Sequence, residues 1–297
     1  MLSLWYSPIY SDGIDVQARF PRLRYRMLRE KLGYSSRIRF QEPIPITRAE
    51  LIAAHEEGYI DRFLGGSLSE KEIRQIGLRP WTDQMVERTL LLTGGTLEAT
   101  KHALEYGMAG NMAGGTHHAH FSYGSGYCII NDLAVCTRWL QKQGLSRILI
   151  IDLDVHQGDG TASIFAHDPQ VYTFSVHCAK NFPFHKQKST TDIALPMYVD
   201  DTEYLASLVV LEEIVSSFCP QFVFYQAGVD GLKEDRLGKW NLTRAGLQKR
   251  NRLVYQLLCA QSIPLVITMG GGYAEPLSQS VDAHADVFLQ AASFCSP

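Results

Sequence analysis

The sequence predicts an α/β fold: a central, mostly parallel β-sheet with helices on both faces. Two observations carry this. From Arg147 onward, short runs rich in β-branched and aromatic residues (RILIID, VYTFSV, QFVFYQAG, PLVITMG) alternate with longer segments of helical periodicity. Those runs are apolar at consecutive rather than alternate positions, which marks strands covered on both faces. Strands that alternate with helices pair in parallel, because returning the chain to the same end of the sheet takes a long crossover.

The elements follow in order. Residues 21–33 (PRLRYRMLREKLG) read as a short helix inside a cluster of Arg19, Arg22, Arg24, Arg26, Arg29, Lys31, Arg37 and Arg39, which is expected to be a solvated face, with an anion-binding role as the alternative. Residues 83–106 carry apolar residues at helical spacing and predict one or two helices around Gly94-Gly95. Strands are expected at 147–152, 171–176, 221–228 and 264–270, with helices at 203–217, 243–261 and 276–292. No repeat or Pro/Ser-rich linker interrupts the chain, so residues 1–297 are expected to form a single domain.

Composition narrows the function. With 45% hydrophobic and 20% charged residues, the chain is neither disordered nor a coiled coil. Lys and Arg number 28 against 31 Asp and Glu, a net charge of −3, so no overall basic field exists to attract nucleic acid. Six cysteines without a CxxC pair argue against a disulfide framework and a Cys-ligated zinc site. The N-terminus lacks a signal-peptide pattern, and no apolar run approaches the roughly 18 residues that cross a bilayer. A soluble, cytoplasmic protein is expected.

In α/β folds the chemistry gathers beyond the carboxyl ends of the strands. After RILI come Asp152, Asp154 and His156, which strand alternation would place on one face, with Ile151, Leu153 and Val155 on the other. Two carboxylates and an imidazole at the end of a buried strand need a compensating cation, and a divalent metal suits these ligands; a salt-bridged Asp pair with a hydrogen-bonded His is the alternative. Gly114-Gly115-Thr116-His117-His118-Ala119-His120 presents adjacent imidazoles after a glycine turn, the usual groups for proton transfer near neutral pH. The strand ending Tyr225-Gln226-Ala227-Gly228-Val229-Asp230 delivers one more carboxylate, which could complete an Asp-His-Asp ligand set with an open position. Gly270-Gly271-Gly272-Tyr273 allows close backbone approach and offers a phenol as donor.

Taken together, GGTHHAH (114–120), GSGYCIIND (124–132), IDLDVHQGDG (151–160), FSVHCAKNFPF (174–184), YQAGVD (225–230) and GGGY (270–273) resemble the zinc-dependent histone deacetylase superfamily, and look like its class IV and bacterial class IV-like members. The resemblance implies the arginase/deacetylase type of fold and hydrolysis of an N-acyl amide, with acetyl or longer fatty acyl removed from the ε-amine of lysine in a protein or peptide. It implies zinc on Asp154, His156 and Asp230, although so oxygen-rich a site would also suit Fe(II) or Co(II). It assigns His118 as general base and acid, oriented by Asp159; His117 as its companion, paired with Asp152; and Tyr273 as oxyanion donor. Gly126 would offer its carbonyl to the substrate amide, and Tyr127 and Phe182 would wall the lysine tunnel; Tyr127 stands where the family more often has Phe. A potassium ion behind the zinc would use Ser175 and backbone carbonyls of Asp152, Asp154, His156 and Val176. The same resemblance leaves acetylated polyamines or other small acylated amines as alternative substrates, and leaves oligomeric state open.

Two rivals of another class remain. Asp282-Ala283-His284-Ala285-Asp286 resembles a metal motif of the arginases, which would make the chain a dimetal ureohydrolase; its helical surroundings, however, would turn His284 away from the two aspartates. A non-catalytic binding protein on the same fold would be expected to have lost a ligand or Tyr273, and this chain has both. Of the other histidines, His177 and His185 are expected to be structural, and His55, His102 and His167 to lie on the surface. Cys128 is expected to be a packed small residue rather than a nucleophile.

Overall fold

The computed structural model describes residues 1–15 and 17–295. Eight strands, β1 (Leu2–Trp5), β2 (Ile38–Gln41), β3 (Met108–Asn111), β4 (Ile148–Asp152), β5 (Val171–Cys178), β6 (Thr191–Leu195), β7 (Phe222–Gln226) and β8 (Leu265–Thr268), form one sheet in the order β2-β1-β3-β8-β7-β4-β5-β6. Every pairing is parallel, so the expected sheet is present and wholly parallel among the described residues. The four apolar runs behave as strands covered on both faces: Ile148 to Ile151, Phe222 to Tyr225 and Leu265 to Ile267 are all buried, as is nearly all of β5.

Four strands had no clear sequence signal. β1, β2 and β3 are only four residues long, and β3 (MAGN) has a glycine and an asparagine in place of β-branched residues. The edge strand β6 alternates between half-buried and exposed positions.

The glycine pair at 94–95 does not break its helix, which runs unbroken from Asp83 to Tyr106 and is capped by Thr82. A Cβ on Gly94 would overlap the Ile44 carbonyl, and one on Gly95 would stand 2.5 Å from the Tyr10 hydroxyl. Close packing against the chain before it explains two residues that each cost a helix about 1 kcal/mol. The expected helix at 203–217 is two helices, Asp201–Ser207 and Val210–Phe218, the first capped by the Asp200 carboxylate on the backbone N–H groups of Thr202 and Glu203.

The Arg-rich cluster is only partly a solvated face. Arg19, Arg26, Lys31, Arg37 and Arg39 are exposed, but Arg24 opens the helix Arg24–Leu32 on its buried side with Tyr25, Leu28 and Leu32. Its guanidinium packs over the rings of Phe20, Tyr25 and Tyr273. The adjacent strands β3, β8, β7 and β4 release their chains at one edge of the sheet, and the site forms there.

Candidate active site

Strand β4 stops at Asp152, so alternation along a strand does not account for Asp154 and His156. Two consecutive side-chain turns do: the Asp152 carboxylate accepts from the Asp154 N–H (3.2 Å), and the Asp154 carboxylate from the His156 N–H (3.0 Å). The other Asp154 oxygen accepts from the Gly271 N–H (2.7 Å), and Asp230 accepts from the Val155 N–H (3.0 Å), knitting together the segments after β4, β7 and β8. Gly271 is required: a Cβ there would overlap the Asp230 carboxylate.

His156 Nδ1 lies 3.1 Å from Asp154 Oδ1 and 3.0 Å from Asp230 Oδ2. One ligand atom from each of the three residues lies within 4.8 Å of the others, and all three side chains are buried. Burial and the neighbouring Asp154 push the Asp230 carboxyl up to about 7. Burial opposes charge on His156, but the carboxylates of Asp154 and Asp230 raise it to about 10. Two carboxylates closing on one imidazole away from solvent form a set that fits a divalent cation; one nitrogen and two oxygens suit zinc, and Fe(II) or Co(II) as well.

His117 and His118 follow β3 on a loop held from two sides. The Gln226 side chain donates to the Gly115 carbonyl (2.6 Å) and accepts from the Thr268 hydroxyl (3.0 Å), tying the loop to the ends of β7 and β8. The buried Asp132 carboxylate accepts from the N–H groups of Gly115 and Thr116 and from the Thr96 and Thr116 hydroxyls. His117 Nδ1 pairs with Asp152 (2.7 Å) and His118 Nδ1 with Asp159 (2.6 Å). The second Asp159 oxygen meets His120 Nε2 at 3.1 Å, so this carboxylate bridges two imidazoles. Burial works against the Asp159 charge, but hydrogen bonds from His118 and His120 hold its carboxyl well below the usual range.

Tyr273 is buried and positioned by its backbone: its N–H donates to Asp235 (2.6 Å), whose other oxygen accepts from the N–H groups of Leu237 and Gly238. The Phe182 ring meets His118 edge-on at 4.8 Å, and Tyr127 lies 5.9 Å from the Tyr273 ring. Gly126 and Tyr127 both adopt positive φ, and the Tyr127 N–H is anchored to the Ile76 carbonyl (2.7 Å). A cavity of about 370 Å³ joins these groups, lined by His117, His118, Gly126, Tyr127, Phe182 and Tyr273 together with Asp154, His156 and Asp230. Behind it, Ser175 is the register partner of Asp152, and its hydroxyl lies 3.1 Å from His177 Nδ1.

Sequence reasoning missed Gln226, Asp132 and Asp235, which fasten the backbone of the site's loops, and it missed His120. It also misplaced His55, which is buried, with Nδ1 against the His120 carbonyl (2.9 Å) and Nε2 accepting from the Asn131 N–H (3.0 Å). His102 is half-buried against Trp5 and Tyr106; His167 and His185 are exposed, and His177 is buried. Cys128 is buried, as expected of a packed residue. The DAHAD segment lies on the helix Leu277–Phe294, where Asp282 and Asp286 pair with Arg244 and Asp282 also pairs with Lys31. His284 is fully buried, away from that pair.

At the carboxyl edge of an all-parallel sheet, an Asp-His-Asp set that could hold a metal ion thus stands beside two His–Asp pairs suited to proton transfer. The chain belongs to the histone deacetylase family: the model of the histone deacetylase domain matches residues 16–288. A protein of Picosynechococcus sp. described as uncharacterized is 47% identical over 286 residues, covering 94% of this chain and 95% of its own. The Arabidopsis thaliana protein named histone deacetylase 2 is 30% identical over 244 residues, covering 78% of this chain and 62% of its own. Among solved structures, the HDA15 HD domain superposes with a TM-score of 0.82 at 22% identity, over 97% of this chain and 90% of that one, and shows the same fold. Family and fold support a deacetylase function. Among the described residues, no helix is long and apolar enough to cross a membrane.

Proposed function

We propose that residues 1–297 act as one catalytic domain that hydrolyses the amide of an acylated lysine ε-amine in a protein or peptide. The observation that carries this reading is that His118, paired through Nδ1 with Asp159, lines one cavity with the Asp154, His156, Asp230 set. Those three residues would hold a zinc ion, whose chemistry when bound is Lewis-acid activation of the acyl carbonyl and of water.

The chain's own residues do the rest. His118 takes a proton from the attacking water and returns it to the leaving amine, while Asp159 holds its ring through Nδ1. His117, paired with Asp152, supports charge beside it. Tyr273 donates to the oxygen that becomes negative as the carbonyl turns tetrahedral. Gly126 offers its carbonyl to the substrate amide N–H, and Tyr127 and Phe182 flank the lysine stem. Ser175, the register partner of Asp152, would hold a potassium ion together with the backbone carbonyls of Asp152, Asp154, His156 and Val176, with charge compensation as its contribution.

The test is kcat/KM on one lysine peptide carrying acyl groups from acetyl upward, with acetylputrescine alongside and a chelator control in each reaction. Chelator-sensitive turnover of the peptides above that of acetylputrescine supports the reading. Turnover confined to acetylputrescine replaces lysine with a small amine as substrate, and turnover indifferent to chelator removes the metal from the mechanism.

A further inference from the structure

The cavity that holds Tyr273 is lined as well by two arginines given no role in the chemistry above. Arg24 and Arg88 both line it, and both are buried, at 4% and 3% exposure. Among the described residues, neither is hydrogen-bonded or ion-paired to a carboxylate. Arg24 donates to the Gly272 carbonyl (3.3 Å) and the Tyr25 hydroxyl (3.2 Å), and its Nε has no partner. Arg88 donates to the Tyr10 carbonyl (2.9 Å) and to the same Tyr25 hydroxyl (3.5 Å). Both guanidiniums stack on Phe20, at 5.2 and 5.7 Å from its centroid. The two buried guanidiniums thus share one phenol as acceptor. Burial draws Arg88 below its ordinary value and also opposes charge on Arg24, where the surrounding Tyr25, Tyr273 and Asp230 outweigh it and raise the pKa. Buried charge without a counter-charge is costly, and these two face open volume.

The position of the pair says what could relieve it. Arg24 lies 5.7 Å from the Tyr273 ring, and both arginines line the cavity that holds Tyr273 and Phe182. With the lysine stem between Tyr127 and Phe182 and the acyl carbonyl at Tyr273, the acyl tail extends toward Arg24 and Arg88. A long hydrocarbon tail there would strip water from two guanidiniums and give no hydrogen bond in return. A tail ending in a carboxylate would meet planar donors suited to it.

We propose, building on the deacylase reading, that Arg24, Arg88 and Tyr25 form a carboxylate-binding subsite that selects acyl groups derived from short dicarboxylic acids, such as succinyl or glutaryl. Hydrolysis then breaks the amide C–N bond, adds the water oxygen to the acyl carbon, passes a proton to the amine and releases a dicarboxylate. The experiment compares kcat/KM for succinyl- and butyryl-lysine versions of one peptide, in the metal-loaded wild type and in Arg88→Gln. The wild type is expected to favour succinyl by at least tenfold, and the variant to lose most of that ratio. Because the ratio is taken within one protein, partial loss of folded variant does not alter it. If Arg88→Gln does not fold, the wild-type ratio decides.

Equal or better turnover of butyryl overturns the proposal. So does competitive inhibition by free acetate without acyl selectivity, which would make the pair a seat for released acid. If no acyl-lysine peptide is turned over, the deacylase reading fails separately, and calorimetry judges the subsite alone. N-methylsuccinamate binding more tightly than N-methylbutyramide supports it, and equal binding overturns it.

Discussion

The rings of His117 and His118 lie 4.1 Å apart, yet their surroundings drive them in opposite directions. Burial disfavours charge on both. At His117 the carboxylates of Asp152 and Asp154 overcome it and raise the pKa to about 9; at His118 the neighbouring His117 cation adds to burial and lowers it to about 4. One ring is thus driven toward the cation and the other toward the neutral base. Substituting His118 by Ala should lower kcat by about 10²- to 10⁴-fold. Substituting His117 by Ala removes the cation that depresses His118, so the acid limb of the kcat/KM profile should move to higher pH. An unmoved limb would separate the two rings electrostatically.

Tyr273→Phe removes one donor and little else, because the residue is positioned through its backbone N–H on Asp235. It should lower kcat on the order of 10²-fold with a near-normal melting temperature. Unchanged turnover would remove the phenol from the reaction.

Metal content separates the deacetylase arrangement from the arginase-like one. Native mass spectrometry should find one transition metal per chain, and Asp230→Ala should abolish it. Asp282→Ala should leave it intact, since that residue pairs with Lys31 and Arg244 at the surface. Two metal ions, one lost with Asp282, would reverse the assignment.

Gly94→Ala is a test of packing. Alanine favours an isolated helix by about 1 kcal/mol, but here its methyl would overlap the Ile44 carbonyl. The variant should melt at a lower temperature than the wild type; a higher one would mean that the segment around Ile44 gives way freely.

Burial sets His55 at about 4, below its ordinary 6.5. The folded chain keeps this ring neutral while the unfolded chain protonates it. Its contribution to stability is therefore complete above pH 6.5, declines as the pH falls toward 4, and drops no further below that. The loss is on the order of 3 kcal/mol. Denaturant midpoints should fall across this window, and His55→Gln should flatten the slope while lowering stability at pH 8.

The sequence made the sheet legible wherever strands were long and apolar on both faces, as at β4, β5, β7 and β8. It was silent at β1, β2 and β3, whose few residues carry no periodicity. The site residues were legible because Asp154, His156, Asp230 and the His117–His118 pair are chemically conspicuous beside glycine turns. Gln226 and Asp132 were not, because an amide and a carboxylate that fasten backbone look like any polar residue until the chain is folded. Arg24 misled for a similar reason: in a run of arginines, charge patterning cannot say which one turns inward. The break at 208–209 was hidden because helical spacing continues across it.

Asp154 depends on the Gly271 N–H, 117 positions further along the chain, and the Gly115 carbonyl is held by Gln226, 111 positions away. A ribosome therefore finishes the His117–His118 loop and the Asp154–His156 turn long before the groups that fix them have been made. Loop closures of that span come late in folding. The site therefore cannot assemble in order of synthesis: its first-made segments take their final geometry only after the strands β7 and β8 have been made and docked.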